Sequence, residues 1–185
     1  MAFEFRRTRG GGKGRNLEHY LLDDSKTITV GQAVTQYEFT DDVIGHPTAA
    51  QPIFGIVEGI TDKYSVGYPE LTVTAGTASS TNLSSIATGS DNTTTKKYWA
   101  LVDTSEDSIY SVTVSGTLGT TGNSNKRGAR LDVDSANTTY TQLLETTATR
   151  TIGTPANFYS FGVDPRNTAR LLVCIAMSET RSTME

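Results

Sequence analysis

The chain has 185 residues, with 16 Lys and Arg against 20 Asp and Glu, for a formal net charge of −4. Hydrophobic residues make up 36% and charged residues 19%, both low for a soluble domain, and 31 Thr and 16 Ser fill the difference. One cysteine, Cys174, excludes an internal disulfide framework and a multi-cysteine zinc site, and two histidines, His19 and His46, leave little for triad chemistry. No apolar run approaches the ~20 residues of a membrane helix, and no apolar stretch follows the basic N-terminus as a secretory signal would require. Composition thus points away from a membrane protein, a disulfide scaffold, a zinc module and most hydrolases. No cofactor or metal is expected.

Residues 1–16 carry Arg6, Arg7, Arg9, Lys13 and Arg15 against Glu4, a charge of +4 that leaves −8 on residues 17–185. Four glycines (Gly10, Gly11, Gly12, Gly14) make this stretch costly to order alone. It reads as an extended arm that touches something negative, and Phe3 and Phe5 alternate with charged residues, so a short strand here can pair with a neighbour. The acidic body repels phosphate, so nucleic acid is not an expected partner. Gly10–Gly14 with Lys13 does not form a phosphate loop. Arg7 stands where the first glycine belongs, and Gly14 stands where Ser or Thr belongs.

Further along, residues 26–35 place Ile28, Val30 and Val34 on one face of a strand. Residues 52–61 are apolar on both faces and interrupted by Gly55 and Gly59, the pattern of a buried strand with a bulge or a close backbone approach. Residues 70–75 alternate again. Residues 76–95 hold 11 Ser or Thr in 20 positions and read as an exposed loop or an insertion boundary. Strands follow at 96–102 and 108–115, joined by the acidic turn Asp103–Asp107. Residues 116–126 are a turn-rich link, and 128–134 alternate Leu131 and Val133 against Arg130, Asp132 and Asp134. Strands at 157–162 and 170–177 follow, the last apolar on both faces and so expected to be central. Residues 136–147 and 164–170 have room for a helical turn and no more. The expected fold is all-β, a small sandwich or barrel-like domain over 17–185, with 76–126 a candidate separate lobe or insertion.

Candidate chemistry is sparse. The acidic pairs Asp23/Asp24, Asp41/Asp42, Glu106/Asp107 and Asp132/Asp134 lack calcium-loop spacing and read as solvated faces or turns. Cys174, inside the run Leu171–Met177, reads as a small buried hydrophobe rather than a nucleophile paired with His46 or His19. Tyr98, Trp99 and Tyr110 fall on strands and read as core. Tyr64 and Tyr68, in a Gly/Pro-containing loop, suit an interface.

Three segments together resemble tailed-phage head decoration proteins, also called capsid cement or stabilisation proteins. They are the opening MAFEFRRTRGGG, the pair ITVGQAVTQ and QPIFGIVEGIT, and the run from RGARLDVD through FGVDPRNTARLLVCIAMSE, about half the chain in all. The Ser/Thr-rich middle lies outside the resemblance. It implies a non-enzymatic virion protein, a small β fold and often a homotrimer, that binds the outer surface of the assembled capsid where major capsid proteins meet and uses a terminal arm to do so. On this reading the partners are the major capsid protein and further copies of the chain, with no membrane. The partner-binding residues are then Phe3, Phe5, Arg6, Arg7, Arg9, Lys13 and Arg15, with Tyr64, Tyr68, Arg166 and Arg170 as second choices. The alternatives are another virion component (minor head, tail or fibre protein) and a carbohydrate-binding β domain, the latter needing Tyr98, Trp99 or Tyr110 exposed beside two carboxylates.

Overall fold

The computed structural model describes residues 2–9, 15–22, 27–36, 43–47, 53–62, 72–74, 98–116, 118, 127–134, 140–144 and 157–176. These residues are all-β, as composition and alternation predict, and hold no helix long and apolar enough to cross a membrane. Lys13, Tyr64 and Tyr68 lie outside them, as do residues 75–97 and 119–126 of the Ser/Thr-rich middle.

Two strand systems share the chain. A closed barrel is formed by β2 (Leu17–Leu22), β5 (Val43–Gly45), β4 (Ala33–Gln36), β6 (Gly55–Asp62) and β8 (Tyr98–Asp103), in that order around its wall. A six-stranded sheet runs β1 (Glu4–Thr8), β9 (Ser108–Ser115), β13 (Asn167–Ile175), β12 (Phe158–Asp164), β10 (Arg130–Leu131). Its sixth strand, β11 (Gln142–Leu144), pairs in parallel with Thr113–Ser115 of β9, while β1 pairs antiparallel with Ser108–Ser111. Because β13 occupies the other edge of β9, β1 and β11 lie end to end along one edge. A separate two-stranded ribbon joins β3 (Thr27–Thr29) to β7 (Thr72–Thr74).

The sheet and the barrel meet at a shared wall. Side chains alternate across a strand, so neighbouring residues serve different cores. Ala33 and Ile56 belong to the core against the sheet; Val34 and Val57, next in sequence, belong to the barrel core with Ile44 and Val102. A register shift between Val57 and Gly59 lets Ile60 follow Val57 into the barrel while Glu58 leaves the alternation. At Gly55 a Cβ would come within 2.4 Å of Val102 Cγ1 and 2.8 Å of the Asp103 carbonyl oxygen. Both the bulge and the close approach are features that the glycines of 52–61 predict.

Other expectations are corrected. Residues 26–35 are not one strand: Gly31, at φ +78°, turns the chain between β3 and β4. The strands flanking Asp103–Asp107 do not pair with each other, because the turn carries the chain from the barrel to the sheet. Residues 98–116 are therefore integral to the domain and not part of a separate lobe. Residues 164–170 hold no helical turn but the tight connection between β12 and β13, where the Asp164 side chain accepts the Arg166 backbone N–H at 2.9 Å. The strand expected in 170–177 is central, β13 lying between β9 and β12.

The largest correction concerns the N-terminus. Residues 2–9 are not a free arm. Phe3 is 4% exposed, its ring stacked 5.0 Å from Phe158 and edge-on at 6.3 Å to Tyr110. The Phe3 N–H donates to the Gly31 carbonyl, and the Gly31 N–H donates to the Val57 carbonyl. The buried ring, the ladder to β9 and the ion pairs of Glu4 together offset the entropy of ordering the segment. Core packing therefore begins at Phe3.

Phe3→Ala should lower unfolding free energy by about 3–5 kcal/mol, read by chemical denaturation, and removal of residues 2–9 should abolish the cooperative transition. A truncated protein with wild-type stability would show that β1 is dispensable. Gly31→Ala should also destabilise, by roughly 2–4 kcal/mol, since a Cβ there meets Ala2 Cβ at 2.3 Å in a left-handed backbone.

Candidate functional site

The six-stranded sheet has two unlike faces. Phe5, Tyr110 and Val173 are in register across β1, β9 and β13, on the face that buries the apolar core. Glu4, Ser111 and Leu172 are in register on the opposite face. That second face holds charge. Arg170, 3% exposed, directs one guanidinium nitrogen to Glu4 and another to the carbonyls of Ala2 and Ser111, both at 2.6 Å. Asp164, 1% exposed, accepts the Ser111 hydroxyl at 2.5 Å and lies 3.3 Å from Arg6, which also reaches Glu4 at 3.1 Å. Two guanidinia and two carboxylates thus close on each other, which burial demands. Burial pushes the Asp164 carboxyl up, but the Ser111 hydroxyl, the Arg166 N–H and Arg6 together outweigh it and hold it below the usual carboxylate range.

A second polar cluster is centred on the last residue of β8. Asp103 is fully buried at the end of β8. It accepts the Ser108 hydroxyl at 2.6 Å, the Tyr110 hydroxyl at 2.7 Å, the Ser105 N–H at 3.0 Å and Arg15 Nε at 3.0 Å. Arg15 also meets Glu58 at 2.5 Å and lies over the Phe5 ring at 4.1 Å. Burial raises the Glu58 carboxyl against the pull of Arg15. Burial, then the Asp103 charge, raises the Tyr110 hydroxyl.

The structure therefore divides the residues expected to bind a partner. Phe3 and Phe5 pack inward; Arg6, Arg15 and Arg170 are held in internal ion pairs; Arg9 sits 3.6 Å from Asp107. Arg7 and Arg166 stay exposed. Both line a pocket of about 170 Å³ on the charged face, together with Arg6, Asp164, Pro165 and Leu172. Sequence reading missed Glu4, Asp103, Ser111 and Asp164, whose roles depend on strand register, and Glu58, which is placed by the bulge.

Other candidates resolve simply. Cys174 is 2% exposed with its thiol pushed up to about 11, chiefly by burial, which fits the small buried hydrophobe. Tyr110 is fully buried and is not an exposed glycan platform, while Trp99 is half-buried. His19 is exposed on β2, and His46 packs against Tyr140 at 4.5 Å. Asp132 and Asp134 do not form a solvated face. Asp134 is 5% exposed and accepts from Gln142, and Asp132 accepts the Asn157 N–H, because residues 132–134 run beside β11, with Val133 bridged to Leu143. Among the described residues no three His, Cys, Asp or Glu side chains cluster as a metal site would require. No known protein family matches the chain, and neither does any curated protein or solved structure.

Asp164→Ala removes the buried carboxylate that faces Arg6 and the Ser111 hydroxyl, and should cost about 3–5 kcal/mol at pH 7, by denaturant titration. Because the Asp164 pKa is depressed on folding, its contribution is fully present above the unfolded value of ~3.9 and is lost as pH falls through the lower folded value. The gap between wild type and variant should narrow below about pH 4; a gap independent of pH would mean that the carboxylate charge is not what holds the site.

Proposed function

We propose that the protein is a non-enzymatic virion structural protein that binds the outer surface of an assembled phage capsid and stabilises contacts between major capsid proteins, acting as a homotrimer. The observation that carries this reading is the division of the arginines. On a chain with net charge −4, most of the described basic side chains near the N-terminus are neutralised internally, and among the described residues Arg7 and Arg166 alone on the charged face remain outward. A rigid β domain with a small basic contact and a thiol kept protonated suits attachment rather than turnover. The resemblance of residues 1–12, 28–36, 51–61 and 127–179 to decoration proteins supplies the partner. The contact surface in this reading is the outer face of the sheet and not a detached arm, so the domain docks as a body.

Binding the assembled shell in preference to free subunits stabilises assembly by mass action, about 2.7 kcal/mol per site at a hundredfold excess over Kd. Hundreds of weak contacts then resist internal pressure. Purified protein should co-sediment saturably with both emptied and intact phage heads, and sizing should show a trimer. Absence of binding to either kind of head would discard the reading.

A further inference from the structure

The pocket on the charged face contains groups that the internal ion pairs do not use. Arg6 is already held by Glu4 and Asp164. Arg7 and Arg166 have no acidic partner among the described residues, and both are exposed. The same pocket is lined by Leu172, half-buried, and Pro165. The pocket is rigidly framed, since Arg7 is on a paired strand and Arg166 follows the Asp164-capped turn.

Two free guanidinia beside an apolar lining match a side chain with methylenes ending in a carboxylate, which a planar guanidinium grips with paired hydrogen bonds. A volume of about 170 Å³ falls below the ~300–1,000 Å³ of sites that enclose a whole small molecule. It takes one side chain. Asp164 in the wall disfavours a dianionic phosphate more than a singly charged carboxylate.

We infer that this pocket receives a glutamate-type carboxylate side chain from an acidic segment of the protein's partner, gripped by Arg7 and Arg166. The inference deepens the proposed capsid role and rests on it for the identity of the partner. The carboxylate chemistry stands on the pocket alone.

The test uses the full chain and a fluorescent hexaglutamate peptide, with hexaglutamine as the neutral comparison, in an anisotropy titration at low salt. Arg7→Glu and Arg166→Glu should each weaken hexaglutamate binding by about tenfold or more. Arg127→Glu, an exposed site elsewhere with the same charge change, should stay within about twofold. Wild-type thermal unfolding of all three variants confirms that the fold is intact. Equal loss in all three, unaffected binding in the pocket variants, or equal binding of hexaglutamine overturns the inference. Co-sedimentation with heads separates the two claims. If the pocket variants bind heads as wild type does, the inference falls and the capsid reading stands. If wild type binds hexaglutamate through Arg7 and Arg166 but ignores heads, the carboxylate site stands and the capsid reading falls.

Discussion

The buried guanidinium of Arg170 decides where the N-terminal segment goes. Inside the sheet its charge needs more than one acceptor, and it finds Glu4, the Ala2 carbonyl and the Ser111 carbonyl together. Two of these three belong to the first four residues. Satisfying Arg170 therefore lays β1 along β9, and laying β1 there inserts Phe3 between Phe158 and Tyr110. The ionic face and the apolar face of the sheet are consequences of one pairing, since register partners alternate sides. Arg6 and Asp164 complete the charge balance on the outer face, which leaves Arg7 and Arg166 as the outward cations.

The barrel is attached by the same economy of placement. Its β4–β6 wall gives Ala33 and Ile56 to the sheet and Val34 and Val57 to its own interior. The bulge at Glu58 ends this alternation and delivers a carboxylate to Arg15. Asp103, at the end of β8, gathers Arg15, Ser108 and Tyr110 where the chain crosses from barrel to sheet. Barrel and sheet are thus joined by a shared hydrophobic wall and by a buried carboxylate.

Much of the fold was legible in the sequence where period and glycine carry it. The double-sided apolar run 52–61 with two glycines announced a buried, bulged strand, and the run 170–177 announced a central one. The N-terminus misled because its glycines and arginines look solvated in isolation. Nothing local says that Phe3 has a stacking partner 155 residues later or that Arg170 supplies a matching charge. Asp132 and Asp134 misled in the same way, as alternation marks a face but not whether another strand covers it. The candidate site was half visible. Arg7 and Arg166 could be named from charge alone, but their meeting in one pocket depends on the bulge between Phe5 and Arg7 and on the β12–β13 turn.

The pairing of β1 with β9 and Arg170 also sets the order of events during folding. Glu4 and Arg170 are 166 positions apart, so the first strand made is among the last that can dock. The barrel strands β2 to β8 precede β9 in the chain and can close before it emerges. Closing loops that long before any contact rewards them slows the search for the native state. During synthesis the unpaired N-terminal segment, with Phe3 and Phe5 and no partner, is a sticky edge waiting for its template. A slow step late in refolding follows from the same long-range pairing.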